Sequence, residues 1–274
     1  MNFQLSGRQV VWFDSVDSTM TRAAELAREG CASGTIVGAD EQTAGRGRYG
    51  RSWLSEKGAG LYVSIILRLP LQAPELPLAM LALGLAAREA IVQTSSLAPD
   101  LRWPNDVLLG DRKCAGILAQ FEDDAIIAGI GVNVSQTGFP EGLATPATSL
   151  LLEGARVARE DLLAALATEV DRCCRVLVED GTAAVIRAFE AASSYARDRR
   201  VRIEHPQSPP SIGAIEGVTR GLDSNGFLMV RQDNGKMATI MTGGVRAAVV
   251  EKNPVLPSRD VRTGAKLRPR ADAD

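Results

Sequence analysis

Histidine is almost absent from this chain. Of its 274 residues a single one, His205, is histidine, and it stands in "EHPQSPPS", a proline-rich stretch that reads as loop. Zinc sites of the HExxH type are therefore excluded, and a Ser-His-Asp or Cys-His catalyst would have to recruit that one loop residue. Whatever chemistry the protein performs proceeds without an imidazole base. Cysteine is sparse too. Cys31, Cys114, Cys173 and Cys174 form no C-x-x-C pair and no metal spacing, and the adjacency of the last two argues against a disulfide framework. A reduced, cytoplasmic setting fits this usage. Strong charge is missing as well: the net charge is -2 and the isoelectric point about 5.7, so no general field draws in nucleic acid or an anionic membrane. The longest apolar run, Leu76 to Ala87, is too short to cross a bilayer and ends at Arg88 and Glu89, so it reads as a buried helix. The opening "MNFQLSGRQVVWFD" lacks the apolar stretch of a secretion signal.

What is present is ample hydrophobic material, 45% of the chain, enough for one good core with a small second domain. "RQVVWFD" reads as a first strand. In "DSTMTRAAELAREG", Met20, Ala23, Ala24 and Ala27 recur with helical spacing, Asp17 or Ser18 is placed to cap the start, and Gly30 stands where a terminating glycine belongs. "GTIVGAD" and Gly60–Leu69 read as strands, followed by a helix from Leu76 to about Val92. The stretch from Leu101 to Val134 is strand-rich, with Gly110-Asp111 suited to a tight hairpin turn and glycines in "AIIAGIGVNV" where something approaches the backbone closely. Residues 160–192 return to helix. Beyond "RDRR" come short alternating strands with Asn-Gly turns at Asn225-Gly226 and Asn234-Gly235, the pattern of a small antiparallel barrel. The stretch 251–274 is polar and proline-dotted and reads as disordered tail. The fold class expected is α+β followed by a small β domain.

Chemistry-bearing residues concentrate in "EQTAGRGRYGRSW". Gly45 to Gly50 match G-x-G-x-x-G letter for letter, but no helix opens at the third glycine and no acidic residue follows at the required distance, so the dinucleotide fingerprint is rejected. Arg46, Arg48 and Arg51 spaced by glycines still suit an anion, because guanidinium forks and exposed backbone N–H groups approach the same oxygens. The expectation is a mobile loop that orders around phosphate or carboxylate; the competing reading is a solvated linker. An RNA contact would want more repeats, aromatics and basic surroundings. "WPNDVLLGDRKCAG" puts Lys113 just past a hairpin turn and Asn105 and Asp106 behind a proline, while "DSTM" opens a helix whose dipole favours an anion.

"DSTM", "EQTAGRGRYGRSW", "RWPNDVLL…RKCAGIL" and "GIGVNV" occur in the order and spacing of the biotin protein ligases. Up to about Val250 the chain resembles their single-function bacterial form. The resemblance implies a class II synthetase-like mixed sheet with helices over 1–195 and an SH3-like β-barrel over 200–250. It implies activation of biotin by ATP and Mg²⁺ to biotinyl-5′-AMP, then transfer to a lysine of a biotin carboxyl carrier domain such as that of acetyl-CoA carboxylase. By likeness, Ser18 and Thr19 contact the ureido head of biotin, with Gln42 beside it. Gly45, Arg46, Gly47 and Arg48 belong to the loop that folds over biotin and the adenylate phosphate, and Trp53 borders the adenine or covers the site. Lys113 sits on the biotin carboxylate and α-phosphate. Asn105 and Asp106 complete the floor, Asp106 being the candidate to receive the acceptor lysine's proton. Gly129, Gly131 and Asn133 line the adenylate side, and Gly116 joins the same substrate-binding set. Lys113, Arg48 and Asp106 are the catalytic candidates.

One position departs from the family pattern, which has asparagine after Ser-Thr where this chain has Met20; methionine cannot replace the amide's hydrogen bonds, so Met20 joins the substrate-binding set only as a backbone or packing neighbour. The first strand starts within about ten residues of Met1, leaving no room ahead of it for the helix-turn-helix of repressor-type members, so neither DNA nor membrane is an expected partner. Homodimerisation through a sheet edge stays open. The competing functions are a lipoate–protein ligase and a non-catalytic biotin- or adenylate-binding regulator.

Overall fold

Gly60–Leu67 (β4) is buried along its whole length, and its alternating side chains serve two different layers. β4 lies near the middle of an eight-stranded mixed sheet. The other members are Asn2–Leu5 (β1), Arg8–Phe13 (β2), Ile36–Ala39 (β3), Asp100–Arg102 (β5), Asp106–Leu109 (β6), Arg112–Glu122 (β7) and Ala125–Asn133 (β8), in the order β1-β2-β3-β4-β8-β7-β6-β5. The computed structural model describes residues 2–5, 7–204 and 213–248. His205 and the tail 251–274 lie outside those residues. Only β2 and β3 pair in parallel, and the connection between them is the helix Thr19–Arg28 (α1), as a parallel crossover requires.

Residue parity sorts the sheet into two faces. Leu61, Val63, Ile65 and Leu67 of β4 and Ile126, Ala128, Ile130 and Val132 of β8 join the main core. They pack there with Leu76–Ser95 (α2), Arg159–Arg175 (α3) and Thr182–Ala191 (α4). The opposite face carries Ile66, Ala125 and Ile127, which pack against Met20, Ala23, Ala24 and Ala27 of α1. The apolar stripe read from the sequence is thus the buried side of α1. α2 is apolar nearly all round because it lies between the sheet and two helices.

Three details differ from expectation. The edge strand β1, joined to β2 by a turn at Gly7 (φ +79), has too little periodicity to be read from four residues. The stretch 160–192 is two helices, separated by a π-helical turn at Val176–Asp180 and by Gly181 at φ +80. At the start of α1, neither Asp17 nor Ser18 caps with its side chain; Ser18 holds the extended N-cap conformation without a capping hydrogen bond. The hairpin at Gly110-Asp111 is as expected, with Leu109 paired to Arg112 and Gly110 at φ +60.

The C-terminal strands Arg197–Glu204 (β9), Ile215–Leu222 (β10), Leu228–Gln232 (β11), Met237–Ile240 (β12) and Gly244–Ala247 (β13) form an antiparallel sheet in the order β12-β11-β10-β9-β13. Its docking point is the β10–β11 turn. Gly226, at φ +79, lets the tip lie so close to α2 that a Cβ would stand 3.0 Å from Leu81 and 3.2 Å from Leu78. The buried Trp103 indole donates to the Gly226 carbonyl at 2.9 Å. The second Asn-Gly turn has the same backbone sign at Gly235 (φ +82) but open space around it.

That contrast gives a test. Gly226→Ala and Gly235→Ala each force an L-residue into left-handed backbone, at about 1–2 kcal/mol, but only Gly226→Ala also meets α2. In urea titrations Gly226→Ala is expected to show the larger loss of midpoint; equal losses would mean the tip contributes nothing to docking.

Candidate active site

The face of the sheet that α1 covers continues past the start of that helix, and there side chains give way to glycine. Gly116 on β7 pairs in register with Gly131 on β8, and Gly129 is two residues back on the same face. A Cβ on Gly131 would lie 2.6 Å from the Trp53 indole, and one on Gly116 would lie 2.9 Å from both Trp53 and the Lys113 ammonium. A Cβ on Gly129 would lie 2.8 Å from Met20 Sδ. The close approach inferred from "GIGVNV" is therefore made by Trp53 and Met20, packed against a glycine floor. Met20 also packs into the α1 cluster and is buried.

One end of this floor is a polar corner. Gln42 Oε1 accepts from the Thr19 backbone N–H at 2.8 Å and from Thr19 Oγ1 at 3.0 Å. Gln42 thereby supplies the cap that Ser18 does not. Its Nε2 donates to Ser55 Oγ at 2.9 Å, and Thr19 Oγ1 lies 2.9 Å from Ser64 Oγ. Ser18 Oγ is buried with no hydrogen-bond partner among the described residues, an orientation that suits a hydrogen-bonding ligand head and costs stability otherwise. Ser55 and Ser64 were not singled out from sequence, although Ser64 is a polar residue set within the apolar run of β4.

The other end is charged. The arginine loop folds back on itself, with Gly47 N–H to the Arg51 carbonyl at 2.7 Å and Trp53 N–H to the Gly45 carbonyl at 2.9 Å. Gly45 sits beneath the loop, where a Cβ would meet the Trp53 carbonyl at 2.5 Å. Tyr49 takes a left-handed turn (φ 61) and turns its hydroxyl to the C-terminal sheet. That hydroxyl accepts from Gly243 N–H at 2.8 Å and from Arg48 at 2.7 Å, and also bonds Thr242 Oγ1. Arg48 donates further to Asn105 Oδ1 at 3.1 Å, Thr242 Oγ1 at 3.2 Å and the Gly243 carbonyl at 3.4 Å. The loop's fold is thus held by its own backbone and by a segment almost two hundred positions away. Burial lowers the Arg48 pKa, opposed by Tyr49 and Asp106; a guanidinium remains charged throughout.

Lys113 and Asp106 stand at the junction. Lys113 Nζ is 2.5 Å from Asp106 Oδ1 and 5.2 Å from the Trp53 ring centroid. Asp106 Oδ2 accepts from Arg102 Nη2 at 2.6 Å. Burial pushes the Asp106 carboxyl up, but Lys113 and Arg102 outweigh it, so the group lies below its ordinary value. Asn105 is pinned in turn, its Nδ2 donating to the Ile117 carbonyl at 2.8 Å. Asn133 is almost fully buried, and its amide donates to the carbonyls of Thr148 (2.9 Å) and Lys113 (3.4 Å), bracing the lysine backbone from below.

Two adjoining cavities share Gly47, Arg48, Trp53, Asn105 and Lys113. The first runs to Ser18, Thr19, Met20, Gln42, Arg46 and the three floor glycines. The second opens toward Arg51, Arg102, Asp106, Asn133, the segment Phe139–Ala147 and the strand start at Gly243–Arg246. Every residue picked out from sequence lines one or both, except Gly45, which supports the loop from behind. Asp106 is the only acid among the lining residues, against several arginines and Lys113. The arrangement suits a ligand with an uncharged polar head and an anionic middle.

The comparisons agree in family. The model of the biotin/lipoate A/B protein ligase family matches residues 12–136. The chain is 32% identical over 254 residues to the biotin–[acetyl-CoA-carboxylase] ligase of Mycobacterium tuberculosis, covering 88% of this chain and 91% of that one. The chain belongs to the biotin/lipoate A/B protein ligase family. It is 31% identical over 241 residues to the bifunctional ligase/repressor BirA of Bacillus subtilis, covering 85% of this chain and 72% of that one. Among solved structures, biotin protein ligase from Aquifex aeolicus in complex with biotin and ATP superposes with a TM-score of 0.75 at 30% identity, covering 87% of this chain and 99% of that one.

The latch through Tyr49 is open to direct test. Tyr49→Phe removes the hydroxyl that joins Arg48 to Thr242 and Gly243, and local opening of the loop should rise about tenfold. Tryptic cleavage after Arg46, Arg48 or Arg51, followed by fragment mass, measures that opening; an unchanged cleavage rate would dismiss the latch.

Proposed function

We propose that this chain activates biotin with ATP to biotinyl-5′-AMP and pyrophosphate, then transfers the biotinyl group to a lysine of a biotin carboxyl carrier domain, such as that of acetyl-CoA carboxylase. The observation that carries the reading is the pair of cavities meeting at Arg48 and Lys113, one ending in a polar corner and the other rich in cations. The relatives named above supply the substrates. A ureido ring can pair with the Ser18 hydroxyl beside Thr19 and Gln42, whereas a dithiolane would leave that buried hydroxyl without a partner, and this favours biotin over lipoate.

The first step needs no general base, since a carboxylate is already a nucleophile at neutral pH. It needs the carboxylate and the α-phosphate brought together with their charge neutralised, which Lys113 and Arg48 supply. Trp53 covers the floor on the adenylate side, and Arg46 and Gly47 close the loop over the anhydride, keeping it from water. Gly129, Gly131 and Asn133 shape the adenylate side of the floor. Mg²⁺ would be held by the ATP phosphates and would neutralise their charge beside Lys113 and Arg48. Among the described residues no group of three His, Cys, Asp or Glu side chains could hold an ion, and Mg²⁺ characteristically keeps to phosphate oxygens with few protein ligands. In the second step the carrier lysine attacks the anhydride carbonyl, AMP leaves, and Asn105 and Asp106 border the point of attack.

Within this reading, 1–195 is the catalytic domain and 200–250 an accessory domain that assists ATP use and carrier recognition. A cytoplasmic setting suits both the ATP requirement and the four unbridged cysteines. No described helix is long and apolar enough to cross a membrane.

ATP–pyrophosphate exchange with biotin, lipoate or no acid tests the proposal. Biotin-dependent exchange is expected; exchange with lipoate alone would overturn the substrate, and none with either would overturn the activity. Lys113→Ala should slow that exchange by about 10²–10³-fold, and near-normal rates would remove Lys113 from the mechanism. Arg48→Gly should slow adenylate formation and lose retention of the adenylate that does form, read as more biotin labelling of a bystander such as serum albumin per pyrophosphate released. Labelling no greater than wild type would mean Arg48 does not hold the adenylate.

A further inference from the structure

Arg102 precedes the W-P-N-D run, and its side chain is only 7% exposed. It stands on β5 directly across from Asp106 on β6. Its Nη2 donates to Asp106 Oδ2 at 2.6 Å and to Thr145 Oγ1 at 2.8 Å. Thr145 belongs to the segment that borders the second cavity, and the next residue, Pro146, accepts from the Lys113 backbone N–H at 2.7 Å. Arg102 thus grips the carboxylate beside Lys113 and the segment that braces Lys113 from behind.

We propose that Arg102 is a positioning residue for the reaction, a fixed counter-ion that holds Asp106 in place while Lys113 turns from Asp106 to the substrate's anionic groups. The inference rests on the ligase reading above. Its physical basis is that a buried carboxylate with a single cationic partner is stranded when that partner leaves, at a cost of desolvation. Asp106 has two strong partners on different elements, Lys113 from β7 and Arg102 from β5, with Arg48 contributing at longer range. The neighbouring Cys114 thiol, pushed up to about 12 by burial, stays neutral and does not compete. Arg102 is nearly enclosed and bonded to two protein acceptors, so it is the partner that stays.

The test uses Arg102→Met, Arg102→Lys and Thr145→Val in the full chain. In the ligand-free protein, the Asp106 carboxyl is followed by carbon-detected NMR titration. Removing a cation favours the protonated form, so Arg102→Met should raise its pKa measurably, while Thr145→Val leaves it in place. In kinetics, Arg102→Met should cut the rate of adenylate formation about ten- to a hundredfold and move its acid limb to higher pH, with KM for biotin changed less than about threefold. Arg102→Lys should restore the titration and part of the rate.

An unmoved titration with a wild-type rate in Arg102→Met would overturn the proposal. So would a rate loss matched by loss of biotin affinity with the titration unmoved, the signature of a merely structural role. Should Arg102→Met not fold, Arg102→Lys decides, and a lysine variant with a raised Asp106 pKa contradicts it. Wild-type protein silent in biotin-dependent exchange would instead sink the ligase reading, and the ligand-free titration would still judge Arg102.

Discussion

The sheet face that α1 covers runs out of side chains where the site begins, and much of the functional architecture depends on that change. Along β8 the residues on this face are Ala125 and Ile127, which pack on α1, then Gly129 and Gly131, over which Met20 and Trp53 lie. On β7 Gly116 completes the patch. A close-packed sheet with ordinary side chains here would fill the volume. Glycine instead leaves a shallow floor on rigid, doubly hydrogen-bonded strands, a mount more exact than a loop. The opposite face of the same strands is ordinary core, with Ile126, Ala128, Ile130 and Val132 packed in the main hydrophobic cluster. One set of strands therefore provides stability on one side and room on the other.

Around this floor the chain brings together segments remote in sequence. The β5–β6 hairpin offers Asn105 to Arg48 and Asp106 to Lys113. The C-terminal sheet reaches the site twice: Gly226 docks against α2 and Trp103, and Thr242 with Gly243 meets the arginine loop through Tyr49. The first contact fixes the sheet to the main core, and the second uses that fixed sheet to order the loop. A loop with glycine at alternate positions loses much entropy on ordering, and here bonds to a distant β domain help to offset it.

This division explains what was legible in the sequence. α1 and α2, the Gly110 hairpin and the two Asn-Gly turns are local events governed by periodicity and turn chemistry, and each lies where that chemistry put it. The glycines of β8 announced a close approach but not its partner, because Trp53 arrives from a loop about eighty positions earlier in the chain. Ser18 looked like a cap, yet Gln42 caps the helix from across the fold and leaves the serine hydroxyl free for other work. The two Asn-Gly turns are indistinguishable as text, and only tertiary packing makes Gly226 a docking point and Gly235 a solvent turn. Arg102 was passed over because nothing in "LRWPND" tells a buried arginine from a surface one. Its role follows from register: β5 pairs with β6 so that Arg102 faces Asp106.

The same electrostatics bears on the role first assigned to Asp106. A carboxylate that two cations hold below its ordinary pKa is a weak base, and it cannot deprotonate a lysine ammonium before attack. Nor does the chemistry require it to. Once a free amine has added to the anhydride carbonyl, the nitrogen becomes far more acidic than a lysine ammonium, and even a weak base suffices to take the proton. In the proposed mechanism Asp106 would become a better acceptor when Lys113 turns to the phosphate, because one of its two cations would then be withdrawn. In that proposal the acid–base work of the second step is tied to the charge work of the first through a single shared lysine.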